Sequence, residues 1–327
     1  MKDLIAKFSK QLIEAVAIGE GAQLTPSNVP IKNVMITGLG GSGIGGTIVS
    51  EIAANQSPVP ILVNKDYFLP KFISEESLVI VSSYSGNTEE TVNAMEIAMN
   101  CNAKIVCITS GGKILEMAKA HQIDHIVLPP GMPPRSCLGY SFTQLLFVLN
   151  HLGLIGSDFK QQLNNAISLI DLEEKNINIY AQELAKKLMN KVPIIYCTAG
   201  NEGVAIRFRQ QINENSKMLC WHHVIPEMNH NELVGWTQKN EQWAVVFLRN
   251  DNDYERTQKR IEINKEVISK YCNNITEIYS KGHSTIERTI YMIHLCDWVS
   301  WYLSDLRKVD ATEVNVINYL KSTLAGK

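Results

Sequence analysis

The sequence has little net charge, no paired cysteine motif and no long apolar run, and each of these absences excludes a class of protein. Its 31 Lys and Arg residues stand against 33 Asp and Glu, a net charge of −2, so we expect no nucleic-acid partner and no membrane-surface role. None of the seven cysteines forms a Cys-x-x-Cys pair, which predicts reduced thiols and a cytoplasmic location. No run reaches the ~18 apolar residues of a membrane span.

What the sequence does have is a regular alternation of short apolar runs with helix-compatible segments. This alternation predicts an α/β fold of parallel sheets with helices on both faces, an αβα sandwich. At ~150 residues per domain the 327 residues predict two domains, 1–153 and 154–327, divided at the loop that begins with Gly153. The predicted strands are 34–36, 59–63, 77–83, 103–109, 124–128, 193–198, 242–248 and 274–279; the predicted helices are 2–17, 47–54, 88–100, 113–120, 138–152, a long segment ending near 190, 203–218, 253–271, 284–304 and 312–324.

The stretch 79–91 is the most informative one, because an apolar run ends there in small hydroxyl residues just before a helix. The hydroxyls of Ser83, Ser85 and Thr88 and the first helical N–H groups should converge on one point. Unpaired N–H donors and the positive end of a helix dipole suit a phosphate group. The alternative is an ordinary turn in which Asn87 or Thr88 caps the helix.

A glycine-rich segment, 38–43, follows the first predicted strand in the pattern Gly-x-Gly-x-x-Gly. With Asp66 further on, this formally matches a dinucleotide-binding motif. A small phosphorylated ligand is the other interpretation, with the backbone of Gly41 and the side chain of Ser42 approaching its phosphate. We favour this second interpretation because it uses both the glycine loop and the serine loop.

The two halves of the chain resemble copies of one unit. When residues 34–43 are set against 194–203, Gly40 aligns with Gly200 and Gly43 with Gly203. The strand predicted at 242–248, however, is followed by Asp251 and Asp253 rather than by hydroxyl residues. Because carboxylates repel phosphate, the sequence predicts two similar domains but a single phosphate pocket.

The candidate catalytic residues lie in the second half of the chain. Glu214, on a predicted helix, and His230, in a polar loop, supply a potential base and a proton shuttle, the pair that isomerisation of an aldose needs. Each could instead be an exposed surface residue. A zinc site of His222, His223 and His230 with Glu227 lacks a standard ligand spacing, so we expect no metal and no cofactor.

Arg135 lies in a loop with four prolines in six positions, 129–134. Proline fixes its own φ and restricts the preceding residue, so the loop is stiff. By default Arg135 is a solvated cation. On a stiff loop it loses little freedom when it binds, which makes it a candidate for stabilising an oxyanion.

Together these motifs resemble the bifunctional phosphoglucose/phosphomannose isomerase family of the sugar isomerase (SIS) superfamily. The resemblance rests on the serine loop 83–88, the glycine loop 40–42, Pro133-Pro134-Arg135 and the segments 213–215 and 226–231. It implies two SIS-type domains and an intramolecular oxidoreductase acting on glucose 6-phosphate or mannose 6-phosphate, with fructose 6-phosphate as the product.

The resemblance also implies roles for single residues. Gly41, Ser42, Ser83, Ser85 and Thr88 would bind the phosphate, Arg135 would stabilise the enediolate, and Glu214 would move the proton between C1 and C2. His230, contributed across the interface of a homodimer, and Lys321 would assist ring opening. The alternatives are a non-catalytic sensor of sugar phosphates, since this fold also serves as a regulatory module, and an isomerase of an amino sugar phosphate.

Overall fold

A computed structural model describes residues 1–324 and 326, and the chain divides into two units. The N-terminal unit consists of Ala6–Leu172 and Gly282–Ile290, and the C-terminal unit of Met1–Ile5, Glu173–Lys281 and Tyr291–Lys327. The boundary predicted after residue 153 lies inside the N-terminal unit, and as a division into domains it stays a prediction.

The N-terminal unit is built on a parallel sheet in the strand order β2-β1-β3-β4-β5. Every residue of β3 is buried, and so are the residues of α6 from Leu138 to Leu149. Helix α6 packs against α2 and α3. The elements of this part of the chain are α1 (Lys2–Ala6), α2 (Phe8–Gly21), β1 (Asn33–Thr37), α3 (Gly40–Ala53), β2 (Ile61–Asn64), β3 (Ser77–Ser82), α4 (Glu89–Asn100), β4 (Lys104–Thr109), α5 (Gly112–Ala120), β5 (Asp124–Val127) and α6 (Leu138–His151).

Residues 40–43 of the glycine segment form the first turn of α3 rather than a loop, so the predicted start of this helix at Thr47 is wrong. Glycine has a low helix propensity, so the sequence pattern did not indicate a helix before Thr47. Here the packing requires it, since a Cβ on Gly46 would lie 2.8 Å from Ile36 Cγ2 of β1. Close approach of helix and strand thus overrides propensity.

The C-terminal unit has a second parallel sheet in the order β7-β6-β8-β9. Its core includes Tyr196, Ile225, Met228, Phe247 and Ile261. The elements are α7 (Phe159–Leu188, which begins in the N-terminal unit), β6 (Val192–Thr198), α8 (Glu202–Ser216), β7 (Trp221–Ile225), β8 (Trp243–Arg249), α9 (Glu255–Ser269), β9 (Ile275–Tyr279), α10 (Thr285–Arg307, which also begins in the N-terminal unit) and α11 (Asn315–Leu324).

Strand β7 was not predicted, and its presence completes the internal repeat. It is a short edge strand in which Trp221 is exposed and the two histidines are half-buried, so it lacks the apolar run of its neighbours. With β7 included, β7-β6-β8-β9 corresponds to β2-β1-β3-β4 of the first sheet. The predicted α/β class with parallel sheets is confirmed. Within residues 1–324 and 326 we find no helix that is both long and apolar enough to cross a membrane.

Candidate active site

The N-terminal sheet reverses its strand order between β1 and β3. From β1 the chain crosses to β2 on one side, and from β3 it crosses to β4 on the other. In open parallel sheets the crevice beyond the carboxyl ends of two such strands is the usual ligand position. The segments that follow these strands are the glycine segment and the serine loop, which the sequence had singled out independently.

Hydrogen bonds join the two segments. The Tyr84 N–H donates to Ser42 Oγ at 3.0 Å, and Ser83 Oγ donates to Thr88 Oγ1 at 3.1 Å. Ser42 and Ser83 are buried, Thr88 is half-buried, and Ser85 is exposed. Three of the predicted phosphate-binding hydroxyls, those of Ser42, Ser83 and Thr88, are therefore held by hydrogen bonds beyond the carboxyl ends of β1 and β3.

Two glycines permit approaches that no other residue would allow. A Cβ on Gly41 would lie 2.6 Å from the Pro134 carbonyl oxygen, and one on Gly86 would lie 1.7 Å from the Gly111 carbonyl oxygen. Gly86 also has a φ of +68°, a conformation that L side chains rarely adopt. The close approach at Gly41 places the loop that contains Pro134 against the start of α3. The close approach at Gly86 places the serine loop against the segment that follows β4.

Arg135 is buried, with 5% of its surface exposed, so the default interpretation as a solvated cation is wrong. It lies in a 3₁₀ turn, Pro134–Ser136. Gln11 Nε2 donates to the Ser136 carbonyl at 2.8 Å. Tyr84 OH donates to the Pro129 carbonyl at 2.6 Å, and burial raises the pKa of this phenol, which keeps it a neutral donor. The loop is held at both ends.

The N-termini of α3 and α4 supply the electrostatics of this crevice. Neither N-cap residue, Leu39 or Thr88, makes a side-chain hydrogen bond to its helix. The alternative that Thr88 merely caps α4 is therefore wrong. The N–H groups of the first helical turn and the positive ends of two helix dipoles favour an anion here, whereas Glu89 and Glu90 in the first turn of α4 oppose one.

The equivalent position in the C-terminal unit is filled by a carboxylate of the protein itself. Asp253 Oδ2 accepts from the Asn250 N–H at 2.9 Å, and Asp253 Oδ1 accepts from Thr198 Oγ1 at 3.0 Å. Asn250 follows β8 and Thr198 is the last residue of β6, and these two strands are the counterparts of β3 and β1. The carboxylate takes up the donors that an anion would need, in line with the prediction of a single phosphate pocket.

Glu214 is half-buried in the last turn of α8. Its neighbours fix the end of the helix: Asn213 Nδ2 donates to the Met218 carbonyl at 2.7 Å, and Lys217 Nζ donates at 2.5 Å to the carbonyls of both Glu214 and Glu313. Lys217, with a φ of 56°, ends the helix in the left-handed conformation. The backbone that carries the predicted base is thus tied down on both sides of it.

His230 is exposed at the end of a 3₁₀ turn, Glu227–His230, just after β7. The next turn is anchored by Glu232, whose Oε1 accepts from Tyr196 OH at 2.5 Å and from Trp221 Nε1 at 3.2 Å. The His230 ring therefore projects from a backbone segment that is fastened to β6 and β7.

Lys321 lies on α11, which has no buried residue. The histidines of the zinc alternative make contacts with the protein: His222 Nε2 lies 3.4 Å from Glu202 Oε1, and His223 Nδ1 accepts the Val224 N–H at 2.8 Å. In the part of the chain that the structure describes, no group of three or more His, Cys, Asp or Glu could hold a metal ion.

The structure thus assembles the predicted residues in two sets. The first set lies in the N-terminal unit, in segments that follow the carboxyl ends of its strands: Gly41, Ser42, Ser83, Ser85, Thr88 and Arg135. The second set lies in the C-terminal unit: Glu214, His230 and Lys321. The sequence did not predict two structural features. One is the pair of contacts between Ser300 and α8; the other is the hydrogen bond of Gln11 to Ser136, which lies 125 residues away. No local pattern signals either.

Several comparisons with known proteins point to the same family. Residues 177–324 match the model of the bacterial phospho-glucose isomerase C-terminal SIS domain. A bifunctional phosphoglucose/phosphomannose isomerase of Caldicellulosiruptor bescii is 39% identical over 99% of both chains. One from Aquifex aeolicus is 33% identical over 90% of this chain and 91% of its own.

Two further similarities bear on the alternatives. A D-glucosamine-6-phosphate 4-epimerase of Sulfolobus acidocaldarius is 32% identical over 88% of this chain and 87% of its own. The C-terminal domain of glucosamine-fructose-6-phosphate aminotransferase from Francisella tularensis superposes with a TM-score of 0.76 at 13% identity, covering 95% of this chain and 97% of that one. The second likeness supports the SIS fold alone.

Proposed function

The chain belongs to the bifunctional phosphoglucose/phosphomannose isomerase family, and from this membership we propose that it converts glucose 6-phosphate or mannose 6-phosphate into fructose 6-phosphate and back. The observation that carries the proposal is the crevice beyond β1 and β3, where buried hydroxyls and two uncapped helix N-termini lie beside the buried Arg135 loop. This chemistry suits a phosphate group.

In the proposed reaction the phosphate is bound by the Gly41 backbone and by the hydroxyls of Ser42, Ser83, Ser85 and Thr88. Ring opening moves a proton from the anomeric hydroxyl to the ring oxygen, assisted by His230 and Lys321. These assignments follow the family resemblance, and the crevice supports the phosphate set among them.

The isomerisation itself is a proton transfer. Glu214 takes the C2 proton of the open aldose, which leaves an enediolate; the hydroxyl proton passes from O2 to O1, and Glu214 returns a proton to C1 to give the ketose. Arg135 stabilises the enediolate oxygens, because a fixed guanidinium needs little reorganisation when charge develops. C1 is reduced and C2 oxidised within one molecule, so the enzyme is an intramolecular oxidoreductase and the reaction needs no external redox cofactor.

We also propose a cytoplasmic homodimer in which His230 acts in the partner's active site. The exposed position of His230 supports this, and so does α11, where Val316 is 81% exposed, Leu320 57% and Leu324 66%. A ten-residue helix is marginal by itself in water, and contiguous exposed apolar side chains mark interaction surfaces. A second copy of the chain would cover this face.

A substrate panel tests the proposed function. Purified protein is given glucose 6-phosphate, mannose 6-phosphate, glucosamine 6-phosphate and unphosphorylated glucose, and products are followed by NMR. We expect fructose 6-phosphate from the first two and no turnover of glucose. Turnover of glucosamine 6-phosphate alone would favour the amino sugar alternative, which the 32% identical epimerase supports. Calorimetric binding without any turnover would favour the sensor.

A further inference from the structure

The end of α8 is held by one residue of α10. Asn215 and Ser216, which directly follow Glu214, are both fully buried. Asn215 Nδ2 donates to Ser300 Oγ at 2.9 Å, and Ser216 Oγ donates to the Ser300 carbonyl at 2.7 Å. Ser300 is itself fully buried. Two consecutive side chains after the proposed base thus share one partner.

The hydroxyl of Ser300 is oriented for this contact. Ser300 Oγ donates its own proton to the Asp297 carbonyl at 2.7 Å, which leaves its lone pairs for Asn215. Further back on α8, Arg207 Nη2 lies 2.5 Å from Asp297 Oδ2 in a buried ion pair. The two helices are therefore joined at two levels, and the Ser300 level is the one next to Glu214.

This arrangement matters because of where Glu214 lies. The last carbonyls of a helix have no intrahelical partners, and helix ends fray most easily. A base must be held within a fraction of an ångström of its productive geometry, and a shift of about 1 Å costs on the order of 100-fold in rate. Glu214 is half-buried, so the direction of its carboxylate depends on how firmly the end of α8 is held, by Asn213 and Lys217 and by the buried residues that follow it.

We propose that Ser300 is a positioning residue for Glu214, acting through Asn215 and Ser216. The inference rests on the proposed function, in which Glu214 is the base. Ser300 touches no substrate. It fixes the height and rotation of the last turn of α8, and with them the direction of the Glu214 carboxylate.

The test compares Ser300→Ala with Ser304→Ala. Ser304 lies one turn later on α10, is 2% exposed, and donates to the Trp301 carbonyl of its own helix at 2.6 Å, so it is a matched control. Steady-state kinetics, C2 solvent exchange and thermal unfolding are measured for both. We expect Ser300→Ala to lower kcat and the exchange rate about 10-fold with KM changed less than about 2-fold, and Ser304→Ala to stay within about 2-fold of the wild type.

Equal kcat values for the two variants, or a loss in Ser300→Ala that matches its loss of folded protein, would overturn the proposal. If Ser300→Ala does not fold, Ser216→Ala removes the second hydrogen bond and is held to the same criteria. Glu214→Gln distinguishes a failure of the base assignment from a failure of the positioning role. If it keeps C2 exchange, the base assignment fails; if it abolishes exchange while Ser300→Ala behaves as Ser304→Ala, only the positioning role fails.

Discussion

At the scale of single residues, the crevice beyond β1 and β3 depends on positions where a side chain would not fit. Gly86 combines a φ of +68° with a backbone oxygen, that of Gly111, 1.7 Å from where its Cβ would be. The backbone must therefore move if any side chain is added. Because the serine loop runs through Gly86, this movement would displace the hydroxyls on either side.

Gly86→Ala should therefore lose both stability and phosphosugar binding. We expect a loss of more than about 2 kcal/mol in the free energy of unfolding, the sum of left-handed strain of about 1–2 kcal/mol and the clash, and a rise in KM of at least about 10-fold. Urea unfolding and steady-state kinetics measure the two effects.

Gly153→Ala is the matched control for this substitution. Its φ is +74° and nothing lies within 4 Å of the added Cβ, so it carries the strain without the clash. We expect about 1 kcal/mol of lost stability and an unchanged KM. Equal losses of stability and affinity in both variants would mean that the Gly111 contact does not shape the serine loop.

At the scale of elements, edge strand β7 connects the end of α8 with the loop that carries His230. Its His222 side chain is half-buried against α8, where Glu202 Oε1 lies 3.4 Å from Nε2, and among the described residues its Nδ1 has no hydrogen-bond partner. Burial lowers the pKa of His222, and the positive charge of Arg209 lowers it further, against the opposing effect of Glu202. The neutral imidazole is therefore the form that fits.

This lowered pKa predicts a pH-dependent stability. The unfolded chain takes up the proton at a higher pH than the folded chain, so stability is fully present above the ordinary histidine pKa of about 6.5 and falls as pH drops towards the folded pKa. We expect His222→Gln to reduce the difference in unfolding free energy between about pH 7.5 and pH 5.5. His121→Gln, at an exposed position of the N-terminal unit, controls for the substitution itself. An unchanged difference in His222→Gln would show that His222 is protonated without cost.

The same elements show how far the sequence could predict this protein. Apolar runs predicted the strands of the first sheet, because parallel strands are buried on both faces. The hydroxyl residues after β3 predicted the serine loop. Strand β7 escaped because only its last residue, Ile225, is buried. The start of α3 was not predicted because glycine has a low helix propensity. The contacts of Ser300 were not predicted because its partners are about 85 residues away in the chain. Local patterns carry no information on such tertiary contacts.

At the scale of the whole molecule, the face of α11 that carries Val316, Leu320 and Leu324 has no partner within the described chain. The proposed homodimer accounts for this face. Since none of these side chains is buried in the chain itself, polar replacements should affect association without unfolding either unit.

We expect the double variant Val316→Ser, Leu320→Ser to sediment as a monomer under conditions where the wild type is a dimer, with an unchanged circular dichroism spectrum. Leu172→Ser, at a leucine of α7 that is 81% exposed, should leave the dimer intact. A wild type that sediments as a monomer, or a double variant that stays dimeric, would exclude α11 as the dimer contact. Analytical ultracentrifugation over a range of concentrations distinguishes these results.

In the proposed reaction a single carboxylate, that of Glu214, moves the proton between C1 and C2 of a sugar phosphate. The most direct test follows exchange of the C2 hydrogen of glucose 6-phosphate with D₂O by NMR, using wild type and Glu214→Gln. We predict that the wild type exchanges this hydrogen and that Glu214→Gln, while still binding glucose 6-phosphate with nearly unchanged affinity, loses about 10²–10⁴-fold or more of the exchange rate. Undiminished exchange in Glu214→Gln would show that Glu214 is not the base.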